Sequence, residues 1–145
     1  MLYAAELAHK FSVVTVLENV CVLIEKIAVT LGLKGKLASV RSVNISVLCL
    51  GDREKLLREL VNESIKAVDE DKAHAIVLGC TGMIGVDKQL QEALREKGYD
   101  VPVISPVPVS IKYLETLISL KLTQSSKTYM KPPEKERNIW ERLEN

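Results

Sequence analysis

A chain of 145 residues, 47% hydrophobic and 27% charged, has room for one domain with one core, which excludes a second catalytic lobe as well as disordered, collagen-like or low-complexity character. Twenty basic residues against nineteen acidic ones leave a net charge of +1, and the aromatic side chains number one Phe, one Trp and four Tyr. With neither a phosphate-seeking field nor base-stacking platforms, nucleic acid is excluded as a partner. Cys21, Cys49 and Cys80 lie too far apart for metal or redox pairing and are odd in number for a secreted disulfide framework, and no apolar run reaches the ~20 residues that span a bilayer. A reducing cytoplasm, no export and no membrane insertion are expected.

Along the chain, strand-like apolar runs alternate with helix-like spacing, the pattern of an α/β domain. A first helical stretch ends near His9. Phe11 to Val16 is a β-branched run that feeds a helix carrying Leu17, Val20, Ile24, Ile27 and Leu31, stopped by Gly32. Thr15, three residues before Glu18, matches a capping box for that helix. Gly32 to Ser42, with Lys34, Lys36 and Arg41, reads as a solvated connection. Ile45 to Leu50 reads as the second strand, and Asp52 as the N-cap of a helix presenting Leu57, Leu60, Val61, Ile65 and Val68. Ala75 to Leu78 is uninterrupted apolar, as in a parallel strand covered on both faces; the loop Gly79 to Gly85 and a helix from about Val86 to Lys97 follow. Val101 to Ile104 is the fourth strand.

The next helix carries two apolar stripes, Val107, Ile111, Leu114, Ile118 and Leu122 on one and Val109, Tyr113, Leu117 and Leu120 on the other. Together they cover more of the circumference than one sheet contact needs. The second stripe is expected to be buried by the chain's own tail, by a missing lobe or by a second copy of the chain. Residues 1–122 form the α/β lobe, and 123–145 a polar, proline-containing tail in which Ile139, Trp140 and Leu143 can make one face of a short helix.

Chemistry concentrates at Val77-Leu78-Gly79-Cys80-Thr81-Gly82-Met83. Open α/β sheets hold ligands at the carboxyl ends of their strands, where this thiol falls, and flanking glycines allow close backbone approach. A thiol there can take and return a proton. By residues alone the same string also suits a phosphate-cradling loop or a buried structural cysteine. Cys49 ends the expected second strand, Cys21 sits among helix valines and leucines as a core residue, and neither His9 nor His74 has companions at metal-ligand spacing, so no metal site is read.

The strings Phe11-Ser12-Val13-Val14-Thr15, Leu37-Ala38-Ser39-Val40-Arg41, Ala75-Ile76-Val77-Leu78-Gly79-Cys80-Thr81-Gly82-Met83 and Val101-Pro102-Val103-Ile104, with Gln124-Ser125-Ser126-Lys127 in the tail, resemble in that order the second half of the hydantoin and allantoin racemases of the aspartate/glutamate racemase superfamily. The resemblance covers about Leu2 to Pro133. It implies a flavodoxin-like, three-layer αβα domain with a mainly parallel four-stranded sheet, equivalent to the family's second lobe. It also implies racemisation without a cofactor at a carbon next to a carbonyl of a small hydantoin-type substrate, by two cysteines on opposite faces. Cys80 matches the second family cysteine, Thr81 and Gly82 with nearby amides would hold the developing negative charge, and Thr15 would touch the substrate. No residue matches the first cysteine, which the family carries in an earlier lobe, so little activity is expected of the chain alone. The second stripe of the last helix would then be uncovered, and a homodimer is expected. Two other readings stand beside this one: a one-thiol decarboxylase or lyase of the same superfamily, and a non-enzymatic, truncated, self-associating module.

Overall fold

In a computed structural model, described over residues 1–134, the chain divides into two compact units, Met1–Lys112 and the residues from Tyr113 on. The first unit contains α1 (Leu2–Leu7), β1 (Phe11–Thr15), α2 (Glu18–Thr30), β2 (Leu37–Ser42), α3 (Arg53–Asp69), β3 (Ile76–Leu78), α4 (Asp87–Glu96), β4 (Val103–Ile104) and the start of α5 (Pro106–Ser119). Short 3₁₀ turns lie at Val47–Cys49 and Thr81–Met83. The strands form one sheet in the order β2-β1-β3-β4, every pairing parallel, which sets β1 and β3 in the centre.

Alternation along the central strands divides the core. Phe11, Val13, Ala75, Val77 and Ile104 pack with Ala4, Ala5 and Ile24 on the α1/α2 face, while Val14, Ile76 and Leu78 pack with Leu56, Leu60, Leu90 and Leu94 on the α3/α4 face. Both faces are covered, which accounts for the continuous apolar runs of β1 and β3 and gives the expected three layers. Asp52 caps α3 as its sequence position suggests, its Oδ1 accepting the Lys55 N–H at 3.0 Å, and Gly32 takes the left-handed φ of 70° that follows a helix end.

Four local readings are corrected. The second strand is Leu37–Ser42, inside the segment read as a connection, while Ile45 to Leu50 is a loop with a 3₁₀ turn. β2 is an edge strand, only partly buried along most of its length, so its sequence lacks a long apolar run; the apolar character of Ile45 and Leu50 comes from anchoring the loop in the core. Thr15 does not cap α2. Its carbonyl accepts the Val43 N–H at 2.9 Å, which keeps it in the sheet, and α2 starts after Leu17 without a side-chain cap. The buried stripe of α2 is Cys21, Ile24 and Ala28, leaving Ile27 and Leu31 exposed, and that of α3 is Leu56, Leu60, Val61, Ser64 and Ala67 with Leu57, Ile65 and Val68 on its flanks.

At the far sheet edge the Gln91 side chain reaches from α4 to β4, its Oε1 accepting the Val103 N–H at 2.8 Å and its Nε2 donating to the Val101 carbonyl at 2.7 Å. One amide thus satisfies two backbone groups that a further strand would otherwise pair.

No residue of α5 is buried. Ile111, Leu114 and Ile118 of the first stripe and Tyr113 of the second are exposed, whereas Val109 of the second stripe packs, partly buried, against the α1/α2 core. Leu120 and Leu122, just past the helix, are exposed as well. Residues 123–134 contain no helix; Ile139, Trp140 and Leu143 lie outside the described residues. Among the described residues no helix is long and apolar enough to cross a membrane.

Candidate functional site

β1 and β3 pair in parallel with Val14 opposite Leu78, and the ladder runs one step further where the Gly79 N–H donates to the Val14 carbonyl at 2.8 Å. This puts Thr15 and Gly79 side by side at the carboxyl ends of the two central strands. The contact is close: a Cβ on Gly79 would stand 2.8 Å from Thr15 Cβ and 2.9 Å from Val13 Cγ1. Only a residue without a side chain lets the chain leave β3 along this line.

Cys80 follows in extended backbone, φ −138° and ψ 134°, and its carbonyl accepts the Met83 N–H at 3.1 Å to close the turn. Met83 is fully buried and pins the turn to the α3/α4 core, against which the half-buried Cys80 also packs. Thr81 and Gly82 are exposed. They open the turn, so their N–H groups have no partner within it. Leu50 of the preceding loop and Arg53 at the start of α3 brace this turn. A Cβ on Gly82 would stand 2.7 Å from Leu50 Cδ1, and Arg53 Nη2 donates to the Ile84 carbonyl at 3.3 Å.

Thr15, read from the sequence as a substrate contact, is 0% exposed, and its Oγ1 is buried without a hydrogen-bond partner. A buried hydroxyl left unpaired costs roughly 1–3 kcal/mol. It lies on the Gly79 side of the strand, 3.1 Å from where a Gly79 Cβ would be. Cys80, Thr81 and Gly82 therefore share one turn, with Thr15 beneath its root.

At the end of the next strand Ser42 Oγ donates to Glu18 Oε2 at 2.8 Å and lies 3.1 Å from Asn44 Oδ1, Asn44 having a left-handed φ of 52°. These residues were not singled out in the sequence, although Glu18 had been noted as half of a capping box. They line a polar cleft of about 410 Å³ with Ser39, Arg41, Glu63 and Asp71. Its charges are internally paired. Arg41 binds Asp71 through Nε at 2.5 Å and Nη2 at 2.9 Å, and reaches Glu70 at 2.6 Å and Glu63 at 3.5 Å. The hydrogen bond from Arg41 holds the Asp71 carboxyl below its ordinary value, and the Arg41 guanidinium is held still more firmly in its charged form.

The remaining sequence candidates fall elsewhere. Cys21 is buried in α2, its thiol pushed up by burial and by Glu18 and Glu25. Cys49 is exposed on the Val47–Cys49 turn and does not end a strand. His9 and His74 are exposed near the amino ends of β1 and β3, the opposite end of the sheet from Cys80. Among the described residues no group of three His, Cys, Asp or Glu side chains is placed to hold a metal ion.

Comparison with known proteins adds a family to this geometry. The family model for Asp/Glu/Hydantoin racemase matches residues 1–114. A hydantoin racemase of Pseudomonas sp. (strain NS671) is 38% identical over 135 residues, covering 92% of this chain and 52% of that protein. One from Paenarthrobacter aurescens is 35% identical over 131 residues, covering 89% and 53%. Among solved structures, the allantoin racemase from Pseudomonas fluorescens superposes with a TM-score of 0.80 at 36% identity, covering 94% of this chain and 57% of that one. The allantoin racemase from Klebsiella pneumoniae gives 0.80 at 32% identity. The chain thus shares its flavodoxin-like fold with these structures and spans about half the length of the relatives it matches.

Proposed function

The chain belongs to the Asp/Glu/hydantoin racemase family, and from that premise we propose that its site performs cofactor-independent proton transfer at a carbon next to a carbonyl of a small hydantoin-type substrate, with Cys80 as the acid/base group on one face. The observation that carries this is the position of Cys80 just past the carboxyl end of the buried central strand β3, one residue after Gly79, which packs on Thr15 of β1. The thiolate takes the α-hydrogen as a proton, the electron pair of the C–H bond passes into the carbonyl to form an enolate, and the resulting thiol returns a proton to the carbon. The exposed Thr81 and Gly82, whose N–H groups open the turn, are the donors assigned to the enolate oxygen, and the Thr15 hydroxyl is the further contact assigned to the substrate.

Inversion needs a second group on the opposite face of the planar intermediate. Cys21 is sealed in α2 and Cys49 stands on another loop, so among the described residues the cysteines supply one face. That single thiol also favours the second reading, a one-thiol lyase that protonates an enolate on one side. The test is circular dichroism of an optically pure 5-substituted hydantoin incubated with the chain. The signal should persist near its buffer-only level. Fast racemisation that survives Cys80→Ala would refute the assignment of the thiol.

The proposal extends to assembly and setting. Two copies pair through the second stripe of α5, where Tyr113 and the following Leu120 are exposed, and the three free thiols suit a reducing cytoplasm.

A further inference from the structure

The free edge of β4 carries a contact that the proton-transfer chemistry does not use. The Ile76 N–H donates to the Pro102 carbonyl at 2.9 Å, so the backbone groups of Pro102 face β3, and alternation along an extended strand turns those of Val101 and Val103 outward. The sheet ends here, and an outward row of unpaired groups is a template for another strand. Gln91 of α4 occupies that template. Its Nε2 donates to the Val101 carbonyl at 2.7 Å and its Oε1 accepts the Val103 N–H at 2.8 Å. A residue opposite Pro102 in an added parallel strand would make the same pair of bonds, its N–H to Val101 and its carbonyl from Val103. The side-chain amide thus stands in for one residue of a fifth strand.

We infer that Gln91 is an edge guard, which keeps the sheet from extending and whose removal lets two copies of this chain join through β4. Packing alone does not call for an amide here. Leu90 and Leu94 are the buried residues of α4, and on the half-buried flank beside them an aliphatic side chain of similar length would cover the same surface while leaving both backbone groups open. Beyond the amide the edge is accessible: Gln91 and Val103 line a cleft of about 350 Å³ with Asp87, Lys88, Glu92 and Arg95. Those charges keep the approach hydrated, and Gln91 closes the backbone itself. With the amide gone, the occupant that suits the edge is the β4 of a second copy. Each copy brings the same bared carbonyl and N–H, and a two-fold axis across the edge pairs the strands antiparallel, donor to acceptor in both directions. This junction uses a different element from the α5 pairing proposed above and stands whether or not that pairing forms.

The test is sedimentation velocity of the full chain over a range of concentrations, with wild type, Gln91→Leu, and Gln91→Leu combined with Val103→Pro run side by side after each is checked for native far-UV circular dichroism. As concentration rises, Gln91→Leu should form a species of at least twice the wild-type mass. Hydrogen exchange at the Val103 N–H, fast in the dilute variant, should slow as that species forms. The double variant should sediment as wild type, since it keeps the surface leucine but loses the bared N–H, and proline is tolerated on a strand edge. Gln91→Ala, which adds no apolar bulk, replaces Gln91→Leu if that variant fails to fold, with the same outcomes required. A Gln91→Leu chain that sediments as wild type at every concentration overturns the guard. Association that persists with Val103→Pro overturns it too, by assigning the contact to the exposed leucine.

Discussion

Gly79→Ala isolates the contact that sets the path of the chain into the Cys80 turn. The added methyl would sit 2.8 Å from Thr15 Cβ and 2.9 Å from Val13 Cγ1, where carbon pairs settle at about 3.5–4.0 Å, so the atoms must part by roughly 0.7 Å or more. Neither side can yield cheaply. Val13 and Thr15 belong to a fully buried strand paired on both sides, and the Gly79 N–H is itself committed to the Val14 carbonyl. Gly79 lies outside the left-handed region, so the penalty is steric, and overpacking of this kind costs about 1–3 kcal/mol, with the upper end expected here. Two other glycines serve as controls. Gly82→Ala meets the end of the Leu50 side chain at 2.7 Å, a methyl that can give way more easily than backbone, and Cys80 Sγ at an ordinary 3.6 Å; Gly35→Ala meets nothing within 4 Å. Urea denaturation of the three variants should show a large midpoint shift for Gly79→Ala at unchanged slope, and shifts worth less than about 1 kcal/mol for the others. A Gly79→Ala variant as stable as Gly82→Ala would refute the close-approach argument.

Arg41→Met removes the clamp between β2 and the end of α3 and should cost about 1–3 kcal/mol, because Asp71 is left partly buried without its cation, while Glu63 keeps Lys66. Asp71 is held below its ordinary value in the folded state, so its contribution is present above the unfolded value of about 3.9 and is lost as pH falls through the folded one. Acid titration of stability should therefore show a shallower loss in Arg41→Met than in wild type, and parallel curves would contradict the pairing. Gln91→Leu should strip amide-exchange protection from Val103 selectively, since the side chain bonding that N–H is gone; unchanged protection would assign the edge another partner. Analytical ultracentrifugation should find a dimer that Leu117→Glu with Leu120→Glu dissociates, and a wild type monomeric at high concentration would remove the pairing proposed for α5.

The sequence made β1, β3 and the helices legible because strands buried on both faces have no polar alternation to obscure them and the helices keep their period. β2 was obscured by its place at the edge. Leu37-Ala38-Ser39-Val40-Arg41 alternates small, polar and charged residues suited to partial burial, and Ser39 and Arg41 are spent on Ser12 and Asp71. Ile45 to Leu50 misled for the converse reason, since anchoring a loop takes the same residues as filling a strand. The turn bearing Cys80, Thr81 and Gly82 was visible from its glycines and its place after an apolar run. The close packing of Gly79 on Thr15 was not, because it depends on the register of two strands 64 residues apart. The turn at Val47–Cys49 is hidden because the apolar run around it reads as a strand.

Solvent exchange at the reacting carbon tests the central claim, that Cys80 moves a proton on one face of the substrate. An optically pure 5-substituted hydantoin is incubated in deuterium oxide with wild type or Cys80→Ala, and loss of the C5–H signal is followed by proton NMR against a buffer blank. The account predicts that wild type replaces this hydrogen with deuterium faster than buffer while optical purity is kept, and that Cys80→Ala falls to the buffer rate. Exchange no faster than buffer in the wild type, or acceleration that persists in Cys80→Ala, would contradict it.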